Sequence, residues 1–189
     1  MAEGTGNREP GTGTSAERSI PDSRFPIPAM RVGIGYDSHR FAPGGPMTLG
    51  GCIIQSDVSL VGHSDGDAIA HAVTDAILGA AGAGDIGEMF ADTDERNRGR
   101  NSIEMLRLAV QQVQALGFTV HNVDVTVIAE RPKIGAHRPA MRAALAGALG
   151  IGVGNVSVKG KTNEGMGWIG RAEGLACMAI VSLAPAGDR

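Results

Sequence analysis

A nearly uninterrupted apolar segment, LACMAIVSLA at 175–184, limits the possible folds of this chain more than any other feature. Such a run is typical of a strand that is buried inside a sheet. A buried strand needs neighbouring strands and a covering layer. The alternating pattern of FTVHNVDVTVIAE at 118–130 predicts a second long strand, and shorter strands are predicted at 30–34, 47–54 and 155–159.

Three segments with helical periodicity can supply the covering layer. The first has an apolar stripe that includes Ile69, Val73 and Ile77, and we predict that Ser64 or Asp65 caps it. The second opens with a capping box, Asn101 followed by Glu104, and the third begins at Pro139. The order of strands and helices predicts an α/β (α+β) sandwich, with helices packed on one face of a mixed β-sheet.

Composition narrows the class of protein. Residues 1–29 are rich in Gly, Ser, Thr and Pro and lack the apolar core of a signal peptide, so we predict a disordered extension before a single domain at 30–189. A net charge of −3 and only 3% aromatic residues disfavour nucleic-acid binding. No apolar stretch reaches the ~20 residues of a membrane span. Cys52 and Cys177 form no metal-binding motif, and we expect them to be reduced in a cytoplasmic protein.

The segment GYDSHRF at 35–41 places a carboxylate and an imidazole two residues apart. In an extended strand Asp37 and His39 project to the same side, where they could bind a metal ion or simply face water. On the first predicted helix, His71 lies opposite the apolar stripe, and Asp67 and Asp75 are predicted to share its side. Two histidines and one carboxylate leave a coordination position open, as a catalytic Zn²⁺ requires.

Two other segments could handle anionic or polyol groups. His63 and Ser64 lie near the predicted start of the first helix, where backbone amides favour a phosphate, although both residues could serve only as caps. The acidic segment DIGEMFADTDE at 85–95 is either a solvated charge cluster or the lining of a polyol pocket.

The loop KTNEGMGWIGR at 161–171 combines cationic and hydroxyl donors with a carboxylate. Lys161, Thr162 and Arg171 suit phosphate oxygens, and Glu164 suits a hard cation such as Mg²⁺; a polar turn-rich loop is the alternative. Two nucleotide motifs are incomplete. The GKT at 160–162 lacks the earlier P-loop glycine, because position 155 is Asn155, and GIGYDS at 33–38 has Ser38 where a dinucleotide motif needs glycine.

Four motifs together, GYDSHRF, GHSDGDAIAHAVTDAILGAAGAGDIGEMFADTD, NVDVTVIAERPKIGAH and KTNEGMGWIGRAEGLAC, closely resemble the 2-C-methyl-D-erythritol 2,4-cyclodiphosphate synthase family over residues 30–184. The resemblance implies a lyase of the non-mevalonate isoprenoid pathway. Such an enzyme cyclises 4-diphosphocytidyl-2-C-methyl-D-erythritol 2-phosphate and releases CMP. It also implies a homotrimer whose active sites lie between subunits.

The same resemblance assigns roles residue by residue. Four residues match metal ligands: Asp37, His39 and His71 for Zn²⁺, and Glu164 for a second divalent cation, Mg²⁺ or Mn²⁺. Two match residues that stabilise the transition state: His63 and Thr162. The others match residues that bind the cytidine diphosphate substrate: Ser64, Asp85, Ile86, Gly87, Phe90, Ala91, Asp92, Thr93 and Asp94; Ala129, Glu130, Arg131, Pro132, Lys133, Ile134 and Gly135 around cytidine; and Lys161, Asn163, Trp168 and Arg171.

Two alternative functions remain open at this stage. A metal-dependent phosphohydrolase would use a zinc-bound water on a phosphate ester. A non-catalytic, isoprenoid-binding trimer would need no working metal site. Met178 stands where some members carry a glutamate near the trimer axis, which argues against isoprenoid binding.

Overall fold

The computed structural model describes Met1, residues 30–91 and residues 93–187. Most of the predicted N-terminal extension and Asp92 therefore lie outside the described residues, and the division into an extension and a domain stays a prediction.

A mixed sheet carries the candidate site. Within the described part of the chain, seven strands form: β1 (Arg31–Pro43), β2 (Met47–Leu49), β3 (Cys52–Ile54), β4 (Val58–Leu60), β5 (Phe118–Ile128), β6 (Val156–Lys161) and β7 (Gly174–Pro185). Five of them form one sheet in the order β4-β1-β7-β5-β6, and β2 pairs with β3 as a hairpin. Only β5 and β6 run parallel, so the predicted mixed sheet is confirmed.

The described residues also form five α-helices: α1 (Ala68–Ala81), α2 (Ile86–Met89), α3 (Ser102–Ala115), α4 (Arg138–Leu149) and α5 (Gly167–Gly170). The three long helices match the three predicted segments and cover one face of the sheet. Asn101 caps α3 by accepting the Glu104 amide at 3.1 Å, as the capping box predicts. Among the described residues, none of the helices has the length and apolar character needed to cross a membrane.

The start of α1 differs from the prediction. Neither Ser64 nor Asp65 caps the helix; the cap is Asp67, whose carboxylate accepts the amides of Ile69 and Ala70. Asp67 is fully buried. The same carboxylate also accepts two amides of the β2–β3 turn, Gly50 at 2.7 Å and Gly51 at 2.6 Å, and these bonds compensate for its burial. A tertiary contact therefore selects which of the possible caps is used.

Helix α1 lies directly on strand β1. A Cβ atom at Gly33 would come within 2.0 Å of the Ala76 carbonyl oxygen, and one at Gly35 within 1.9 Å of the Ala72 oxygen. Because both positions are glycine, the helix backbone can approach the strand backbone without an intervening side chain. This approach fixes the distance between the side chains of β1 and those of α1.

From Met178 onward, the segment at 175–184 is buried on one side only. Leu175, Cys177 and Ala179 are covered by the helices, whereas Met178 and Ile180 on the opposite face are 39% and 49% exposed. The expectation of a fully buried strand is therefore wrong for this chain alone. The polar loops predicted at 85–100 and 161–174 also contain the short helices α2 and α5.

Candidate active site

Three predicted metal ligands meet between β1 and α1. Asp37 and His39 project from the same side of β1, and His71 projects from α1 toward them. Asp37 Oδ2 lies 2.9 Å from His39 Nε2 and 3.0 Å from His71 Nδ1, and the two nitrogens are 3.3 Å apart. One carboxylate oxygen and two imidazole nitrogens thus converge on one point.

The cluster changes the acidity of its members. Burial alone would raise the pKa of Asp37, but hydrogen bonds from His39 and His71 and their positive charge lower the pKa well below its usual range. Burial alone would lower the pKa of His39, but hydrogen bonding and charge from Asp37 raise it. Asp37 is therefore ionised at neutral pH, and a cation in the cluster is favoured.

The donor set fits a divalent metal ion. Within residues 30–91 and 93–187, Asp37, His39 and His71 are the one group of three or more possible ligands whose donor atoms lie this close together. Imidazole nitrogen and carboxylate oxygen are the common ligands of zinc, and three protein ligands leave room for a fourth ligand. The sequence prediction that these residues share a site is confirmed as a geometric statement.

Each imidazole is also held from behind. His39 Nδ1 donates to the Val61 carbonyl oxygen at 2.7 Å, and a carbonyl can only accept, so Nε2 is the nitrogen of His39 that is left for a metal ion. His71 Nε2 lies 2.8 Å from Ser64 Oγ and 2.9 Å from Ser102 Oγ. Ser102 was not predicted, and a contact across 31 residues has no signature in the local sequence pattern.

A cavity of about 280 Å³ opens beside the cluster. Asn97 and Met105 line it, although neither was predicted. The other lining residues are predicted site residues from three segments: His39, His63, Ser64, His71, Ile86, Gly87 and Phe90. His63 and Ser64 do not lie at the first turn of α1, and Asp67 already accepts the first helical amides. The predicted position of His63 and Ser64 at the helix start is therefore wrong, whereas their predicted phosphate contact stays a prediction and both residues line the cavity.

The acidic segment forms the far wall of this cavity. Asp85 caps α2 by accepting the Glu88 amide at 2.8 Å, and the Ile86 amide donates to Asp75 on α1 at 2.8 Å. Further along, the guanidinium of Arg96 lowers the pKa of Asp94 to about 2. Ile86, Gly87 and Phe90 line the cavity, and the bonds of Asp85 and Ile86 hold this first part of the segment in place.

The remaining described residues of the acidic segment that were predicted to bind substrate lie in different surroundings. Phe90 is buried under the guanidinium of Arg100, and the Ala91 carbonyl accepts the Asp94 amide at 3.0 Å. Thr93 and Asp94 are not among the residues that line the cavity.

A second cavity of about 310 Å³ lies near the opposite edge of the sheet, beside β5 and β6. Most of the predicted cytidine segment and part of the phosphate loop line it: Ala129, Pro132, Lys133, Ile134, Gly135, Lys161 and Thr162. Arg138 at the start of α4 joins them and was not predicted. Arg131 instead pairs with Asp57 at 2.5 Å on the surface.

Glu130 has a different position from the one expected of a cytidine contact. Its Oε1 accepts the amide of Asn163 at 2.9 Å and that of Gly165 at 3.3 Å. Between these amides Glu164 adopts a left-handed backbone with φ of 50°, and Thr162 Oγ1 donates to its carboxylate at 2.7 Å. The Glu130 carboxylate thus anchors the loop that presents Thr162 and Glu164.

These two cavities are well separated in one chain. Asp37 pairs with Cys177, Cys177 with Val127, and Val127 with Gly160, so three strand spacings separate β1 from β6 at this level. Strands lie about 4.8 Å apart, which places the metal cluster and the start of the phosphate loop roughly 14 Å from each other.

Trp168 and Arg171 lie nearer to β1. Trp168 lines a third cavity, of about 240 Å³, together with Ser38, His39, Arg40 and Glu173. Arg171 donates to Glu173 at 2.6 Å and does not line this cavity.

Comparisons with known proteins agree on one family. A sequence profile of the YgbB family matches residues 30–184. The 2-C-methyl-D-erythritol 2,4-cyclodiphosphate synthase of Gemmatimonas aurantiaca is 62% identical over 159 residues, which are 84% of this chain and 96% of that protein. The Plasmodium falciparum IspF structure, a CDP complex, is 37% identical with a TM-score of 0.74, over 84% of this chain and 97% of that one. The bifunctional IspDF of Campylobacter jejuni is 41% identical with a TM-score of 0.81 over 85% of this chain, which spans 43% of that longer protein.

Proposed function

The chain belongs to the YgbB family, and from this membership we infer that it converts 4-diphosphocytidyl-2-C-methyl-D-erythritol 2-phosphate into 2-C-methyl-D-erythritol 2,4-cyclodiphosphate and CMP. Curated relatives named for this synthase are 62%, 49% and 51% identical over more than four fifths of the chain. The observation that carries the proposal is the convergence of Asp37, His39 and His71 within 3.3 Å beside a cavity.

We propose that this cluster holds Zn²⁺ and that Glu164 helps to hold a second cation, Mg²⁺ or Mn²⁺. Bound there, the two ions would act as Lewis acids that neutralise the phosphate oxygens of the substrate. The donor types support the assignment, because imidazole suits zinc and an isolated carboxylate suits a harder cation.

The reaction is an intramolecular phosphoryl transfer. An oxygen of the 2-phosphate attacks the β-phosphorus, and the bond from that phosphorus to the CMP oxygen breaks. The attacking phosphate is already ionised, so no general base is needed. Folding the substrate with both groups in line contributes a proximity effect of up to about 7–11 kcal/mol.

The protein's own groups then have distinct tasks. The cavity lined by His63, Ser64 and Gly87 holds the methylerythritol phosphate, where the exposed His63 imidazole can donate to a phosphate oxygen. The cavity lined by Lys133 and Lys161 holds the cytidine diphosphate, where both ammonium groups oppose the negative charge. The CDP complex of the Plasmodium falciparum relative supports a nucleotide site in this fold.

We also propose that the active site forms between subunits of a homotrimer. The two proposed cations would act on the same diphosphate, yet the metal cluster and the phosphate loop of one chain stand roughly 14 Å apart across three strand spacings. A loop from a neighbouring subunit can close this distance, and it would bring its Thr162 and Glu164 to the cluster.

The uncovered face of the sheet supports this assembly. Val32, Ile34 and Tyr36 on β1 are exposed, and they lie beside Met178 and Ile180 on β7. Contiguous apolar patches of this kind mark protein interaction surfaces. A second copy of the chain would bury them and would give the apolar segment at 175–184 the covering that its sequence predicts.

The location of the protein follows as a further proposal. Cys52 and Cys177 are both free thiols, which agrees with a cytoplasmic protein.

Product analysis tests the activity. Purified protein is incubated with the cytidyl substrate, Zn²⁺ and Mg²⁺, and the products are measured by mass spectrometry. We expect CMP together with a cyclic diphosphate. A phosphohydrolase would instead give the open-chain bisphosphate, which is heavier by one water, and that product would contradict the proposal.

A further inference from the structure

A partly buried chain of hydrogen bonds lies behind the metal cluster. His71 Nε2 lies 2.9 Å from Ser102 Oγ, and Ser102 Oγ makes a short hydrogen bond to Asp65 Oδ1. Ser102 is fully buried at the start of α3, and Asp65 precedes the cap of α1. The chain therefore links the loop before α1, the first residue of α3 and a ligand of the proposed metal.

The direction of these bonds is fixed by their chemistry. An ionised carboxylate can only accept, so the hydroxyl hydrogen of Ser102 is donated to Asp65. Ser102 Oγ can then only accept from His71, so the imidazole carries a hydrogen on Nε2, whether or not Nδ1 also carries one. Ser64 Oγ, which accepts the Gly66 amide at 3.3 Å, is a second acceptor for that hydrogen at 2.8 Å.

The consequence appears at the opposite nitrogen. With a hydrogen on Nε2 donated to Ser102, His71 has only Nδ1 left for a metal ion, and the Val61 carbonyl leaves only Nε2 of His39 in the same way. Both of these nitrogens point to Asp37 Oδ2, to which they donate in the metal-free protein. A cation bound there would replace the two hydrogens that now lie between the imidazoles and the carboxylate.

We propose that Asp65 and Ser102 are positioning residues for the metal centre, which orient His71 and select Nδ1 as its ligating atom. This inference rests on the proposed zinc site. Groups that hydrogen-bond the far nitrogen of a metal-binding histidine commonly contribute about 10- to 100-fold to metal affinity. Ser102 lies between the Asp65 carboxylate and the imidazole, so Asp65 acts on His71 through this hydroxyl and does not contact the metal.

Asp65 and Ser102 also have a structural contact that the test must separate. Asp65 Oδ2 accepts the Ser102 amide at 3.1 Å and so helps to begin α3. Asp65→Asn keeps the shape and an oxygen for this amide, but its NH₂ group can donate to Ser102 Oγ and reverse the chain. Asn101→Ala is the matched control, because it removes the cap of α3 and leaves the chain to His71 intact.

Zinc affinity is measured for the wild type and each variant by competition with a chromophoric chelator. We expect Ser102→Ala and Asp65→Asn each to bind zinc about tenfold more weakly, near the lower limit because Ser64 still accepts from His71. We expect Asn101→Ala to stay within about twofold of the wild type. Wild-type affinity in both of the first two variants, or an equal loss in Asn101→Ala, would overturn the inference.

Proton NMR of zinc-loaded protein labelled with ¹⁵N-histidine gives a second readout. The proton on His71 Nε2 should be slow to exchange with water in the wild type, and its resonance should move in Asp65→Asn. An unmoved resonance would contradict a role for the Asp65 charge. A wild-type protein that binds no zinc would contradict the proposed metal centre itself, which distinguishes that failure from a failure of the positioning role.

Discussion

The metal cluster and the phosphate loop of this chain are held in opposite ways. Asp37, His39 and His71 are mostly buried, and each imidazole has a partner on its far nitrogen. Glu164 is exposed; its carboxylate accepts from Thr162, and the backbone around it is anchored through Glu130. The donor groups of the first region meet within one chain, whereas the second region is an exposed loop about three strand spacings away.

Removing a ligand from the cluster should have the greatest consequence. We expect His71→Ala to lower kcat/KM at least about 1000-fold, or ~4 kcal/mol, because the cation that neutralises the phosphates is lost. Zinc content and turnover are measured on the same sample. Glu164→Ala should also lose turnover but keep its zinc, and a loss of zinc in that variant would show that the two regions are not independent.

The buried carboxylate of Asp67 supports the structure beneath the metal cluster but is not one of the proposed ligands. Asp67→Ala leaves four amides without their acceptor, so we expect the free energy of unfolding to fall by about 3 kcal/mol. Chemical denaturation of the metal-free protein measures it. Glu95→Ala, which removes an exposed pair with Arg98, is the control and should leave stability unchanged. Equal stability of the two variants would mean that the buried carboxylate is not needed to hold α1.

Releasing the phosphate loop should have a smaller effect. In Glu130→Gln the anchor keeps its shape but loses its charge, and we expect kcat to fall about tenfold while zinc content is unchanged. Steady-state kinetics with metal analysis measures both quantities. A change only in KM would instead support the cytidine contact that the sequence predicts for Glu130.

Lys133 lines the second cavity, where we propose that the cytidine diphosphate binds. We expect Lys133→Ala to raise KM about fivefold with little change in kcat, because the contact is equal in the ground and transition states. Substrate titration at saturating metal gives both constants. A loss confined to kcat would contradict this role.

The sequence predicted most of the fold because its periodic patterns are local. The strand alternation at 118–130, the apolar stripe of α1 and the Asn101 capping box all describe residues that are neighbours in the chain. The shared side of Asp37 and His39 follows from the same rule. What these patterns could not give were contacts between distant segments.

Asp67 shows the limit most clearly. Its position four residues before His71 places it on the same helix side, yet its carboxylate turns inward to the amides of Gly50 and Gly51. The link from Asp65 through Ser102 to His71 has the same origin, since 37 residues separate the first two. The exposure of Met178 and Ile180 differs again: their apolar character predicts burial that a single chain does not provide.

Gly33 and Gly35 carry no functional group, yet they set how far His71 stands from Asp37 and His39. The spacing of these three side chains is set by two missing methyl groups under α1 and not by any group of the cluster itself. An alanine at either position would push α1 away from β1. A substitution at Gly33 or Gly35 would therefore change the cation preference of the proposed metal site while all three ligands stay in place.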